Sequence, residues 1–314
     1  MFFKSLISVV IKIYRSSQHR QLYVLTGAIK ILKWVINIFN YKGDIMINLS
    51  GSYVGTDGVF LSTKPTKRYL KSNNHNKINQ AFILSEIIKN LDSVNVIFDV
   101  GANFGEISIY FSKMYPNSKI FSIEPLKKNI DFFKKNIQSQ FFKCDNITII
   151  EKAVCNYNGK IKITNSLNSE NTIILDPKKN KEINKIITSN TEEVDAITLQ
   201  KLCEQYQINE IDFIKIDIEG AEPLLTDSLQ KLKPKIIFME VSSKNTEISY
   251  KQMLGSLTDN YKIYDQNFKA VNDYQLFISN LFSQQSGYYK VSKCDVWIIR
   301  KDINKFIKQI KISS

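Results

Sequence analysis

Two glycines and one carboxylate are spaced as a nucleotide-binding loop requires. Gly101 and Gly105 follow an apolar run at residues 94–100, and Glu124 ends the next apolar run about 20 residues later. Glycine lets the backbone approach a ligand closely, and the free amides at the start of the following helix point toward that ligand. A carboxylate at this spacing accepts hydrogen bonds from ribose hydroxyls. These residues therefore predict a nucleoside-containing cofactor.

The spacing of the glycines distinguishes between cofactors. A dinucleotide-binding loop has the pattern G-x-G-x-x-G, whereas Asn103 stands here at the position of the second glycine. The pattern Asp-x-Gly-x-x-x-Gly is similar to the S-adenosylmethionine loop of class I methyltransferases, where Asp99 is expected to meet the cofactor's ammonium through water. An ordinary strand-to-helix turn is the alternative interpretation. The residues predicted to bind the cofactor are Asp99, Gly101, Ala102, Asn103, Gly105, Glu124, Pro125 and Ala153.

A second group of chemically active residues is acidic. Asp217 and Glu219 stand at alternate positions after an apolar strand that also carries Lys215, and Glu240 ends the following strand. Ligands of open α/β sheets bind at the carboxyl ends of the strands, where these acids are predicted to lie. Clustered acids are costly there unless they bind a ligand or act as a base, and the alternative, helix capping and pairing with lysines, is favoured for Glu222.

The elements that position both groups alternate between strand and helix. This alternation predicts an α/β fold with a doubly wound, mostly parallel sheet. The predicted strands include 94–100, 120–123, 146–150, 153–154, 160–163, 193–197, 211–217 and 234–240, and the predicted helices include 78–91, 126–138, 199–206 and 222–232. Thr198 is predicted to cap the helix that follows it.

Composition and charge restrict the domain organisation. The chain has 314 residues and a net charge of +13, of which residues 1–75 hold 11 basic and 2 acidic side chains, or +9. We predict a basic N-terminal extension and lid at 1–75, a catalytic domain at 76–300 and a basic tail at 301–314. Confinement of the charge to the N-terminus argues against a nucleic-acid substrate. The four cysteines show no metal-ligand spacing and are predicted to be reduced cytosolic thiols.

The first 40 residues contain no acidic side chain and form two predicted amphipathic helices. No uncharged run there is long enough to span a membrane, and export is not expected. Three interpretations stay open: helices packed on the enzyme, a homodimer interface, and helices on an anionic membrane surface. We therefore expect a cytoplasmic protein, with peripheral attachment to the inner face of the membrane as the membrane alternative.

Five segments in register resemble the FkbM family of methyltransferases. They are residues 98–105, residues 123–125, residues 153–156 with Gly159, residues 197–199, and residues 213–222. The resemblance implies a class I, Rossmann-like fold with a mostly parallel seven-stranded sheet, preceded here by the helical extension. It also implies an S-adenosylmethionine-dependent O-methyltransferase, often acting on surface polysaccharides, lipid-linked glycans or natural products. Gln200 departs from the family, which commonly has an acid after the leucine.

Methyl transfer to oxygen requires alignment of the acceptor and removal of a proton. The chain has only two histidines, so a carboxylate is the predicted base: Asp217 first and Glu219 second. His75, in a polar run before the catalytic domain, is a third candidate. Alternatively, Asp217, Glu219 and Glu240 hold a divalent cation that acidifies the hydroxyl.

The predicted partner is a saccharide or glycan acceptor, and no nucleic acid is expected. An RNA methyltransferase is the alternative enzyme, although the chain lacks an Asn-Pro-Pro-Tyr-like motif for amino methylation. A non-catalytic, membrane-associated scaffold with a methyltransferase-like fold is the alternative of another class. The intact glycine loop and the acidic cluster argue against that scaffold.

Overall fold

The computed structural model describes residues 47–49, 52–54, 60–61, 84, 88, 91–138, 140, 143–164, 191–243, 245–283 and 293–303. The two predicted amphipathic helices of residues 1–40, most of the tail and His75 lie outside these residues. The predicted helix at 78–91 is described only in part, and Leu84 and Ile88 are helical and buried. None of the helices in the described ranges is long and apolar enough to span a membrane.

The described chain contains thirteen strands and six α-helices. In chain order the strands are β1 (Ile47–Leu49), β2 (Ser52–Val54), β3 (Phe60–Leu61), β4 (Val96–Val100), β5 (Lys119–Ile123), β6 (Ile147–Ile150), β7 (Ala153–Val154), β8 (Gly159–Thr164), β9 (Thr191–Ile197), β10 (Phe213–Ile216), β11 (Ile236–Ser242), β12 (Tyr261–Asp265) and β13 (Lys293–Arg300). The helices are α1 (Glu106–Met114), α2 (Lys127–Gln138), α3 (Leu199–Gln205), α4 (Thr226–Leu232), α5 (Glu247–Leu257) and α6 (Tyr274–Ser283).

Seven strands form one sheet in the order β12-β13-β11-β10-β4-β5-β6. Strand β13 is antiparallel to both of its neighbours, and the remaining adjacent pairs are parallel. The central strands are apolar at nearly every position because helices cover both faces. This arrangement confirms the predicted doubly wound, mostly parallel sheet.

Alternate residues of the central strands supply two separate apolar layers. Phe98 and Ile214 pack with residues of α3 to α6 on one face, whereas Ile97 and Phe213 pack with residues of α1 and α2 on the other. Successive side chains of a strand point to opposite faces, so a single apolar strand contributes to both layers. Helices on both faces therefore hold the strand ends in fixed positions.

Two smaller sheets accompany the main one. Strands β1, β2 and β3 form an antiparallel sheet. Strands β7, β9 and β8 form a mixed sheet in that order, in which β7 is parallel and β8 antiparallel to β9. The second sheet places Ala153, Ile161 and Val194 in a third apolar cluster with Leu126, the residue just before α2. This cluster forms one wall beside the carboxyl end of β5.

Several local predictions are confirmed, and one needs correction. The Thr198 hydroxyl accepts a hydrogen bond from Lys201 N at 3.1 Å, as predicted for the cap of α3. All four cysteines are free thiols. The predicted helix at 222–232 is instead a 3-10 turn, Glu222–Leu225, followed by α4. The Leu224 amide donates to the Ala221 carbonyl oxygen at 3.0 Å, and this bond between residues three apart is the 3-10 pattern.

Gly105 is required by close packing as well as by its backbone conformation. It lies directly before α1 with φ of 81°, and a Cβ atom there would overlap the Phe133 ring of α2. A non-glycine residue in the left-handed region costs about 1–2 kcal/mol before the overlap is counted. Gly105 therefore fixes the distance between the loop and α2.

We expect Gly105→Ala to lower the free energy of unfolding by at least about 2 kcal/mol, measured by urea denaturation. Phe133→Leu in the same chain should recover part of the loss, because the smaller side chain removes the ring from the overlap. A double-mutant cycle measures that recovery. Strictly additive effects of the two substitutions would contradict the proposed contact.

Candidate active site

A cleft opens at the carboxyl ends of β4, β5 and β10. It contains about 680 Å³ of space, part of which is open solvent. Its lining comprises Val100, Gly101, Asn103, Ile123, Glu124, Pro125, Leu126, Asn129, Lys152, Ala153, Val154, Ile163, Asp217, Ile218 and Glu219. The two groups of residues that the sequence singled out therefore share one cleft.

The glycine loop crosses the end of β5. The backbone amides of Gly101 and Ala102 both donate to the Ile123 carbonyl oxygen, at 2.9 and 3.0 Å. Gly101 has φ of 79°, and a Cβ atom there would overlap the carbonyl oxygen of Asp217. The loop and the end of β10 are consequently in direct backbone contact, which only glycine permits at this position.

Asn103 presents a polar atom that the described chain does not satisfy. Its backbone has φ of 53°, and its amide donates to Glu124 Oε2 at 3.0 Å. The Asn103 Oδ1 atom is buried and has no hydrogen-bond partner within the described residues. A buried acceptor without a donor is costly, so this atom fits a ligand that donates a hydrogen bond.

Glu124 is buried, with 5% of its surface exposed, and is already partly satisfied by the protein. Its Oε1 accepts from Leu126 N and Asn129 Nδ2, both at 3.0 Å. Burial raises the pKa of Glu124, although these bonds and the one from Asn103 N lower it. Each carboxylate oxygen can accept about two hydrogen bonds, so Oε2 keeps capacity for a ribose hydroxyl.

A buried lysine links the loop to β10. Lys215 Nζ lies 3.3 Å from Asp99 Oδ1 and 3.5 Å from Asp217 Oδ2, and it donates to the Gly101 carbonyl oxygen at 3.2 Å. Burial opposes the ammonium form, but the two carboxylates outweigh it and raise the pKa of Lys215. Asp99 also accepts from the Ser108 hydroxyl at 2.6 Å. These contacts hold the loop against the acid-bearing strand.

Three carboxylates converge where β10 and β11 end. One oxygen each from Asp217, Glu219 and Glu240 lies within 4.8 Å of the other two. Lys293 Nζ lies 2.8 Å from both Glu219 Oε2 and Glu240 Oε1. Burial, and next the charge of Asp217, raise the pKa of Glu240 to about 8 against the opposing charge of Lys293. Burial opposes the Lys293 ammonium, but the charges of Glu240 and Glu219 raise its pKa.

The structure brings together most of the predicted site residues. Gly101, Asn103, Glu124, Pro125, Ala153, Asp217 and Glu219 all line the cleft. Asp99 is fully buried beneath the loop, and its partners are Lys215 and Ser108. It is not among the residues that line the cleft, where contact with the cofactor's ammonium through water was expected. Ala102 and Gly105 shape the loop without lining the cleft, and His75 lies outside the described residues.

The sequence predictions assign no role to one asparagine and three lysines of this site, although Lys215 stands on the predicted strand with Asp217. Asn129 and Lys152 line the cleft, and Lys215 and Lys293 are the cations that pair with its acids. Lys215 alternates with Asp217 along the predicted strand, which was a signal for a shared side. Lys293 is far from the acids in the sequence, and no local pattern connects it to them.

The strand order, the glycine loop and the neighbouring carboxylate define a class I, Rossmann-like methyltransferase. Residues 99–288 match the family model described as the methyltransferase FkbM domain, and the chain belongs to this family. The assignment confirms the predicted S-adenosylmethionine-dependent methyltransferase. The unsatisfied Asn103 oxygen and the close backbone approach at Gly101 fit that cofactor.

Three similar proteins each share 26% or less of their aligned residues with this chain. Methyltransferase sdnD of Sordaria araneosa is 26% identical over 178 residues, which cover 46% of this chain and 67% of that protein. The solved structure of precorrin-6y C5,15-methyltransferase from Geobacter metallireducens GS-15 is 13% identical, with a TM-score of 0.39, and the match covers 73% of this chain and 92% of that one. Plantazolicin methyltransferase BpumL with SAH is 15% identical, with a TM-score of 0.37, over 76% of this chain and 91% of that one.

We expect the protein to bind S-adenosylhomocysteine with micromolar affinity and not to bind NAD, as measured by calorimetry. Glu124→Ala should weaken binding by roughly 1.5–3 kcal/mol, because a charge-assisted hydrogen bond to the ribose is lost. Glu151→Ala is the matched control, since Glu151 pairs outward with Lys134 at 2.7 Å. Equal affinities of the two variants would contradict the assigned role of Glu124.

We expect Lys215→Met to lower the free energy of unfolding by about 3–5 kcal/mol, because it leaves the buried Asp99 carboxylate without its cation. Asp99→Asn in the same chain should recover much of this loss. Lys201→Met is the control, since Lys201 pairs with Glu204 on the exposed face of α3 and should contribute less than about 1 kcal/mol. If urea denaturation showed equal losses of unfolding free energy for Lys215→Met and Lys201→Met, the buried ion pair of Lys215 would not have the assigned role.

Proposed function

We propose that this protein transfers the methyl group of S-adenosylmethionine to a hydroxyl oxygen of a saccharide, in a surface glycan or a lipid-linked acceptor. The observation that carries the proposal is the group of carboxylates next to the glycine loop. A hydroxyl oxygen must lose its proton as it is methylated, so the acceptor side of the cleft needs a group that can take a proton. Asp217 and Glu219 line the cleft and are the candidates for this group.

When bound, S-adenosylmethionine supplies an electrophilic methyl group. The glycine loop, Asn103 and Glu124 would hold the nucleoside and amino acid parts of this cofactor. Asp217 follows β10 directly, and its backbone contacts Gly101, so its carboxylate lies beside the loop. Alignment of the hydroxyl and removal of its proton are then performed from the same strand end.

Asp217 is the proposed base, and Glu219 is the proposed orienting group. The Asp217 side chain is 24% exposed, compared with 13% for Glu219 and 18% for Glu240. Glu219 and Glu240 both pair with Lys293 at 2.8 Å, whereas Asp217 lies 3.5 Å from Lys215, so the two glutamates are held more closely by their cation. The more accessible carboxylate, next to the loop, is better placed to receive the hydroxyl proton.

Two features support a saccharide over a nucleic acid. Carboxylates accept hydrogen bonds from the hydroxyl groups of a sugar. The same carboxylates would repel the phosphates of an RNA backbone, whose binding is dominated by positive charge. The basic charge of residues 1–75 lies mostly outside the described part of the chain, so attachment to an anionic membrane and dimerisation both stay predictions.

We expect Asp217→Asn to lower turnover by about 10²–10⁴-fold while the affinity for S-adenosylhomocysteine stays nearly constant, because a base acts only as the hydroxyl is attacked. Methylation of a glycan extract with radiolabelled cofactor gives the rate. Asp195→Asn is the control, since Asp195 pairs with Lys160 on β8, away from the cleft lining. Full activity of Asp217→Asn would assign proton removal elsewhere, first to Glu219 and then to His75.

A further inference from the structure

Lys293 reaches the acidic cluster because β13 is reversed in the sheet. A parallel strand would begin at the opposite edge, whereas β13 runs antiparallel to β11 and pairs its first residue, Lys293, with Ser242 at the end of β11. Lys293 therefore starts its strand at the carboxyl edge, where the acids of β10 and β11 end. The family match stops at residue 288, so the family assignment does not include this residue.

The ammonium group of Lys293 lies among carboxylates that are arranged as cation ligands. One oxygen from each of Asp217, Glu219 and Glu240 lies within 4.8 Å of the others, a separation that a divalent cation could bridge. Two of these carboxylates contact Lys293 Nζ at 2.8 Å. An ion that used the same oxygens would have to displace the ammonium or be repelled by it.

Lys293 contacts the Glu219 side chain where it leaves a tight turn. Glu219 has φ of 58° and precedes Gly220, so its side chain leaves the turn in a direction that a regular strand end would not produce. Lys293 Nζ joins this side chain to Glu240 of the neighbouring strand. One cation thus holds two strand ends and reduces the repulsion among three acids.

We propose that Lys293 is a positioning residue that supplies the counter-cation of the Asp217, Glu219 and Glu240 cluster, in the place that a divalent metal ion would take. The wild-type cluster then binds no divalent ion, and Glu219 and Glu240 stay fixed beside Asp217. The consequence for turnover rests on the proposed function, but the metal-binding consequence does not require an acceptor.

The test is titration of the full-length protein with Mn²⁺. Binding is measured by calorimetry and by the electron paramagnetic resonance signal of the free Mn²⁺. The wild-type protein and Lys293→Arg should show no site tighter than about 1 mM, because both keep a cation in the cluster. Lys293→Ala and Lys293→Met should bind one Mn²⁺ at least tenfold more tightly. Adding Glu240→Gln to either variant should remove that site.

Lys160→Ala is the matched control, since it removes a lysine from an exposed ion pair with Asp195 and should create no Mn²⁺ site. S-adenosylhomocysteine binding checks the cofactor domain of each variant. Turnover should fall about tenfold in Lys293→Ala, be restored in part by Mn²⁺ and become sensitive to chelator, whereas wild-type turnover should be insensitive to it.

The proposal would be overturned if the wild-type protein bound Mn²⁺ with submillimolar affinity and Glu240→Gln abolished that binding. This measurement needs no lysine variant. Failure of the folded Lys293 variants to gain a site would also overturn it. If the Mn²⁺ results are as expected but no saccharide is methylated by the wild-type protein, the proposed acceptor is wrong and the role of Lys293 in the cluster stands.

Discussion

The geometry of the site depends on the contacts of one buried ammonium group, that of Lys215. It contacts Asp99 of β4, the carbonyl oxygen of Gly101 in the loop and Asp217 at the end of β10. Its side chain is only 3% exposed, so the cost of removing it from water must be offset by those partners. The cofactor loop and the proposed base are therefore positioned by one buried cation, and movement of either strand end would disturb both.

Two lysines pair with four acids in and next to the cleft. Lys215 pairs with Asp99 and Asp217 under the loop, and Lys293 pairs with Glu219 and Glu240 at the outer side. Four acids and two lysines leave the group negative when all are charged, and the raised pKa of Glu240, about 8, reduces that excess near neutral pH. The remaining negative charge is complementary to the positive sulfonium of the cofactor.

Local patterns predict the main elements of the fold and the strand position of Lys215, but not the ion pairs that Lys215 and Lys293 form. The apolar run before Gly101 and the strand ending at Asp217 have strong periodicity and glycine turns, and both elements form and meet at one sheet edge. Asp99 was placed in the loop by its spacing, yet tertiary packing gives it Lys215 and Ser108 as partners. Lys293 depends on the reversal of β13, which is a property of sheet topology and not of local sequence.

Glu222 stabilises the turn that carries Glu219. It is fully buried; its Oε1 accepts from the amides of Ile218 and Gly220, at 3.0 and 3.2 Å, and its Oε2 accepts from the Tyr250 hydroxyl at 2.6 Å. These bonds fix the turn in which Glu219 and Gly220 have positive φ. Because Tyr250 belongs to α5, that helix sets the direction of the Glu219 side chain. The acidic segment after β10 therefore contains one carboxylate that shapes the turn and two that the turn presents to the cleft.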